Sequence, residues 1–228
     1  MKPVSLKRAC LGFAVALIVS GCASAPPEKH SGFLSDYSKL TKQETMAGGK
    51  AMAFVSPSLT PAHYNALILE PVKYYPEPQA TEQVSMQTLN EILRYADQAL
   101  REKLGEKVRL VDKPGPGVVR WKGAFTAVGD EKREMKVYQY IPIALIVTGV
   151  KAAAQGGLPV DATIAFENEA VDSVTNESLY RVVRGGTGER ISKSDAGKYN
   201  LTADSLKPLI DKWATNAAEN ITKYIKAK

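Results

Sequence analysis

Val19-Ser20-Gly21-Cys22 sets a thiol behind an aliphatic residue and two small ones, at the end of an apolar stretch. A thiol with such small neighbours can reach a diacylglycerol donor at a membrane face. Cleavage of the Gly21–Cys22 bond then frees an amine for further acylation, with palmitate the expected chain. Several chains together give lasting attachment where one is marginal, at about 0.8 kcal/mol per buried methylene. The other cysteine, Cys10, precedes this position, so the chain beyond Cys22 has no thiol for a disulfide, a nucleophile or a Cys-rich zinc site. With only His30 and His63 present, most His-based metal clusters are excluded as well. The expectation is no metal, no cofactor and no catalytic residue.

Three further groups invite chemical readings. Glu167 and Glu169 stand two apart, so on a strand they share a face. A glycosidase needs its two carboxylates across a cleft, with environments that drive their pKa values apart. Neighbours on a polar face meet water instead, and that is the expectation here. His63 precedes the first clear strand and has no Gly-x-Ser-x-Gly elbow to serve, so it reads as a surface histidine. Gly185-Gly-Thr-Gly188 follows a strand as a phosphate loop would. No Gly-Lys-Ser/Thr ending or strong helix start comes after it, which leaves a mobile turn. Trp121 and Trp213 fall in strand and helix patterns and read as core rather than as a binding platform.

The residues before Cys22 have a tripartite layout: a basic MKPVSLKR, an apolar ACLGFAVALIVS, then small residues. That is the form of a secretory signal, and it is shorter than the roughly 20 apolar residues of a membrane span. Residues 1–21 are therefore read as a leader. The Val19–Cys22 pattern resembles the lipobox of bacterial lipoproteins. Ala23, rather than aspartate, follows the cysteine, which by resemblance to a known sorting rule implies the outer membrane, facing the periplasm. Residues 22–31 read as the lipidated cysteine and a flexible Pro-containing tether, and 32–228 as a single domain. The whole chain carries +6, but without Lys2, Lys7 and Arg8 it holds 27 basic against 24 acidic side chains. These alternate along the sequence with no basic patch, so no nucleic acid is expected as partner.

The elements that position these groups follow from periodicity. Residues 65–75 have strand composition, with Pro71 marking an edge or bulge. Ser85 is a helix N-cap, Met86, Leu89, Leu93, Ala96, Leu100 and Leu104 form an apolar stripe, and Gly105 is the expected stop. Short strands are expected at 108–111 and 118–128, joined by the turn Asp112-Lys-Pro-Gly-Pro-Gly117. A strand with Ile164, Phe166 and Val171 turns through 172–177 into a return strand at 179–183. The last element is a helix through Leu206, Leu209, Ile210, Trp213, Ala217, Ile221 and Tyr224, with Pro208 in its first turn. The apolar run 140–150 is too short to span a membrane and reads as a buried helix or strand. The alternative is a helix begun at Pro142 that meets a membrane or a partner. The basic end, residues 223–228, complements the C-terminal end of a helix dipole. Together these imply an α/β fold, a mixed and largely antiparallel sheet with helices packed on one face.

Ser31-Gly-Phe-Leu-Ser-Asp-Tyr-Ser-Lys-Leu40, Leu69-Glu-Pro-Val72, Asp112-Lys-Pro-Gly-Pro-Gly-Val118 and the 171–177 hairpin resemble the bacterial lipoprotein family known as domain of unknown function 3313. Asn176 stands where glycine is commoner in that family. The resemblance implies a lipid anchor and supplies no catalytic residue, and the element order is also similar to small envelope lipoprotein domains. The function expected is a lipid-anchored, non-enzymatic envelope protein that binds an envelope partner. The alternative is a periplasm-facing hydrolase or small-ligand binder, which requires a deep pocket with convergent polar groups.

Overall fold

The computed structural model describes residues 30–80, 84–126, 143–147, 160–191 and 201–228. The elements are β1 (Thr41–Glu44), β2 (Lys50–Val55), β3 (Ala66–Leu69), β4 (Lys73–Tyr75), α1 (Met86–Lys107), β5 (Arg109–Leu110), β6 (Val118–Thr126), β7 (Ile143–Val147), β8 (Val160–Asp172), β9 (Ser178–Ile191) and α2 (Lys207–Ile221). The strands form one sheet in the order β1-β2-β9-β8-β6-β3-β5, with β4 paired to β6 and β7 paired to β8. The β3, β4 and β5 pairings are parallel and the rest antiparallel. The α/β class with a mixed, mostly antiparallel sheet is as the periodicity implied.

Both helices lie on one face of the sheet. Ser85 caps α1 by accepting from the Thr88 N–H at 3.0 Å, and Pro208 sits in the first turn of α2, where its missing N–H costs nothing. The buried stripe of α1 is Leu89, Ile92, Ala96 and Leu104, while Met86 is exposed. Gly105 does not end the helix, which runs on to Lys107. Lys228 reaches back to the Gly105 carbonyl, and its own N–H donates to the Lys107 carbonyl at 3.0 Å. The basic end therefore complements the dipole of α1 rather than that of the neighbouring α2.

Several elements depart from the expectation. Residues 65–75 split at Pro71 into β3 and β4, both on the same edge of β6. The turn at 112–117 does not join two paired strands, because β3 lies between β5 and β6. The chain doubles back around the start of β3, where Gly117 takes φ +72° and its carbonyl accepts from the Asn65 N–H at 2.8 Å. The apolar run at 140–150 contributes strand β7, antiparallel to β8, so the helix begun at Pro142 is overturned. Its flanks, 140–142 and 148–150, lie outside the described residues, as do residues 1–29 with Gly21 and Cys22.

Gly185-Gly-Thr-Gly188 is no turn: it lies inside β9. A Cβ at Gly186 would fall 2.8 Å from Leu209 Cδ2 and closer still to the Trp213 ring. The glycine lets α2 approach the strand, and its missing side chain is a packing requirement rather than a source of mobility.

Candidate functional site

Alternation along β8 sends Phe166, Asn168 and Ala170 toward the helices and Glu167 and Glu169 to the opposite face. That face is not left to water. The segment at 31–40, just ahead of β1, crosses it as a strap. Phe33 and Leu34 bury against Ala124 and Val183. Beneath the strap Glu167 and Glu169 are only 1% and 2% exposed. The solvated acidic face expected for this pair is corrected accordingly.

Each carboxylate is matched by donors. The register places Glu169 opposite Lys122 of β6 on one side and Arg181 of β9 on the other. Lys122 Nζ lies 3.0 Å from its Oε2 and Arg181 Nε 2.9 Å from its Oε1, and the Ser35 hydroxyl of the strap donates to it as well. Burial alone would raise the Glu169 pKa, but the hydrogen bonds from Ser35, Arg181 and Lys122 together hold it below the ordinary value. Arg181 also pairs with Asp36 of the strap through Nη1 at 3.0 Å. The backbone and side chain of Ser38, then Arg181, hold the Asp36 carboxyl low.

Glu167 takes a single strap donor. Tyr37 Oη donates to its Oε2 at 2.6 Å and accepts from the backbone N–H groups of Gly32 and Leu34 at 3.0 and 3.1 Å. The tyrosine thus closes the strap on itself and fastens it to the sheet. Burial first, and then the bond to Glu167, raises its pKa. The His30 ring stacks on Tyr37 at 4.0 Å between centroids, so the strap's order reaches back into the residues read as tether.

This arrangement does not match acid–base catalysis. Both carboxylates are occupied as acceptors, and the Glu169 pKa is lowered, the reverse of the upward shift of a general acid. His63 is exposed, as expected. Its Nδ1 lies 3.0 Å from the Ser58 carbonyl, far in sequence from the acidic pair. Among the described residues no cluster of three or more His, Cys, Asp or Glu side chains could hold a metal ion.

The acidic pair is visible from sequence, but no spacing or motif links it to Ser35, Asp36, Tyr37, Lys122 or Arg181. The turn at 172–177 carries part of the signal: folding the chain there sets residue 169 opposite 180, and the irregularity at Ala170/Val171 moves its partner on to 181. In that turn Asp172 accepts from the N–H groups of Val174 and Thr175 at 2.9 Å each, and Asn176 takes φ +60°. That left-handed backbone is the physical reason glycine suits the position.

Comparison with known proteins bears on the same segments. The family model described as "Protein of unknown function (DUF3313)" matches residues 29–217. The chain is 33% identical over 203 residues to the uncharacterized lipoprotein YdcL of Escherichia coli strain K12, covering 88% of this chain and 90% of that protein. The same figures hold for the protein of that name from Escherichia coli O157:H7. Among solved structures, a PelC dodecamer subunit from Paraburkholderia phytofirmans is 13% identical, covers 74% of this chain and 96% of its own, and gives a TM-score of 0.34. The hypothetical protein CT253 from Chlamydia trachomatis is 10% identical, covers 72% and 98%, and gives 0.38. From its strap to α2, then, the chain belongs to the DUF3313 family.

Proposed function

We propose that the chain is a lipid-anchored lipoprotein of the bacterial envelope, held through Cys22 at the outer membrane and facing the periplasm, where it serves another envelope component without catalysing a reaction itself. The observation that carries this reading is the strap: the segment nearest the anchor motif is fastened to the sheet by Tyr37–Glu167 and by the Ser35, Asp36, Glu169 and Arg181 network. Seven residues separate Cys22 from His30. At roughly 3.1 Å per residue for a Pro-containing segment, they keep the domain within about 25 Å of the bilayer. Confinement to one membrane raises the effective concentration of a partner, so a modest interface suffices. The name of the 33% identical relative, a lipoprotein, agrees with the anchor.

The test is acylation. Cys22→Ala is expected to abolish incorporation of labelled fatty acid and to leave uncleaved precursor; continued labelling would contradict the anchor. For the accessory role, photo-crosslinking in intact cells is expected to trap one recurring envelope protein. Turnover of a defined substrate by the purified protein would contradict the non-enzymatic reading, and with it the structural assignment of Glu167 and Glu169.

A further inference from the structure

The helical face of the sheet holds a second pair of buried polar groups that the strap does not use. Phe166 and Asn168 of β8 lie opposite Arg184 and Val182 of β9, which makes Asn168 and Arg184 diagonal neighbours on one face. They are only 8% and 7% exposed. Among the described residues Asn168 Oδ1 and Arg184 Nε have no hydrogen-bond partner. Arg184 Nη2 donates to the Gly48 carbonyl at 2.7 Å, and Nη1 makes a long 3.5 Å bond to Thr45 Oγ1. The guanidinium lies 4.4 Å from the centroid of the Trp213 ring. No carboxylate pairs with it among the described residues. Burial lowers its pKa to about 10, which leaves it a cation at neutral pH.

Both groups line a cavity of about 90 Å³ between the sheet and the two helices, whose other walls are apolar and include Leu100, Trp121, Phe125, Ile210 and Trp213. Met46 and Ala47 of the β1–β2 turn also line it and keep partial exposure. That turn is a cover held by side chains: Asn216 Nδ2 donates to the Ala47 carbonyl at 3.1 Å, Asn220 Nδ2 to the Met46 carbonyl at 3.2 Å, and Arg184 holds Gly48. Water suits a cavity that offers two to four polar partners around it, and apolar walls are better served by hydrocarbon. An arginine held in place but lacking a counter-ion asks for an anion, and its free Nε–H suits a carboxylate oxygen.

We propose that this cavity binds an apolar carboxylate, its head on the Arg184 guanidinium and a short hydrocarbon body against Trp121, Phe125 and Trp213. Asn168, whose amide presents a donor or an acceptor according to its orientation, meets the head from the neighbouring strand. The cavity lies on the opposite face from the strap, so its failure would leave the anchored-accessory reading standing, and the reverse holds too.

The chain contains two tryptophans, and both line the cavity, which gives a direct readout. The full-length protein, reconstituted into phosphatidylcholine vesicles through its own lipid, is titrated with 6-bromohexanoate and separately with 6-bromohexanol, with bromine as the quencher. The acid is expected to quench saturably and to bind at least about tenfold more tightly than the alcohol, the scale of one charge-assisted bond. Asn168→Asp, nearly unchanged in shape, supplies Arg184 with an internal counter-ion. It is expected to abolish the preference for the acid, bringing its affinity down to or below that of the alcohol. Absence of saturable quenching in the unsubstituted protein, equal affinity for acid and alcohol, or an Asn168→Asp protein that folds and keeps its preference would each overturn the proposal. The comparison of acid with alcohol needs no variant.

Discussion

Glu169 and its two cations differ in how completely they leave water, and that difference sets what each is worth. Arg181 is nearly buried and bonds both Glu169 and Asp36, whereas Lys122 is more than a third exposed. Removing one partner of a buried pair strands the other charge at a cost of about 3–5 kcal/mol, while an exposed partner contributes about 1 kcal/mol or less. Arg181→Met is therefore expected to lower the urea midpoint several times more than Lys122→Met. Comparable losses would show that the pair does not behave as a buried one. Tyr37→Phe keeps the ring and deletes one donor to a buried carboxylate, for an expected loss of about 1.5–3 kcal/mol. Acid acts on the same cluster. The folded Glu169 pKa lies below its ordinary value, so its stabilisation is complete above that value and fades as pH falls through the lowered one. Melting temperature is expected to drop on acidification below about pH 4.5, and Glu169→Gln to flatten that limb. An unaltered acid limb in the variant would count against the ion-pair assignment.

Elements that repeat a pattern were legible, and elements held by single contacts were not. The stripe of α1, Pro208 at the start of α2 and the turn at 172–177 follow from spacing and cap chemistry, which are local properties of the chain. The strap has no period, because it is held by side chains reaching a sheet more than a hundred residues away. β2, Lys-Ala-Met-Ala-Phe-Val, was missed for another reason: Ala51 and Ala53 fill a tight space with small side chains that carry little strand preference. Gly186 misled because glycine marks close approach as readily as it marks a turn. Gly186→Ala is expected to cost about 1–3 kcal/mol through overpacking against Trp213 and Leu209. A neutral result in thermal unfolding would mean that α2 does not press on β9 as described. Asn176→Gly preserves the left-handed backbone and is expected to change stability by less than about 0.5 kcal/mol, with Asn176→Ala costing more.

At the scale of the whole molecule, the sheet separates two kinds of polar burial. On the strap face, acid, base and tyrosine satisfy one another and tie residues 31–40 to the sheet. On the helical face, Arg184 and Asn168 remain incompletely satisfied beside a cavity. The first is the arrangement of a fastening and the second that of a receptor. The fastening lies on the face opposite α1 and α2, next to the segment that precedes β1. On the proposed anchor, fatty chains at Cys22 would carry a domain fastened from residue 31 onward. Hydrogen–deuterium exchange of the membrane-bound full-length protein tests this most directly, read at the amides of Gly32, Phe33 and Leu34, which donate to Tyr37 Oη and Ser31 Oγ. The account predicts protection of these amides approaching that of the β8–β9 hairpin, and its loss in Tyr37→Phe. Exchange at the strap at the rate of an unprotected amide would contradict it.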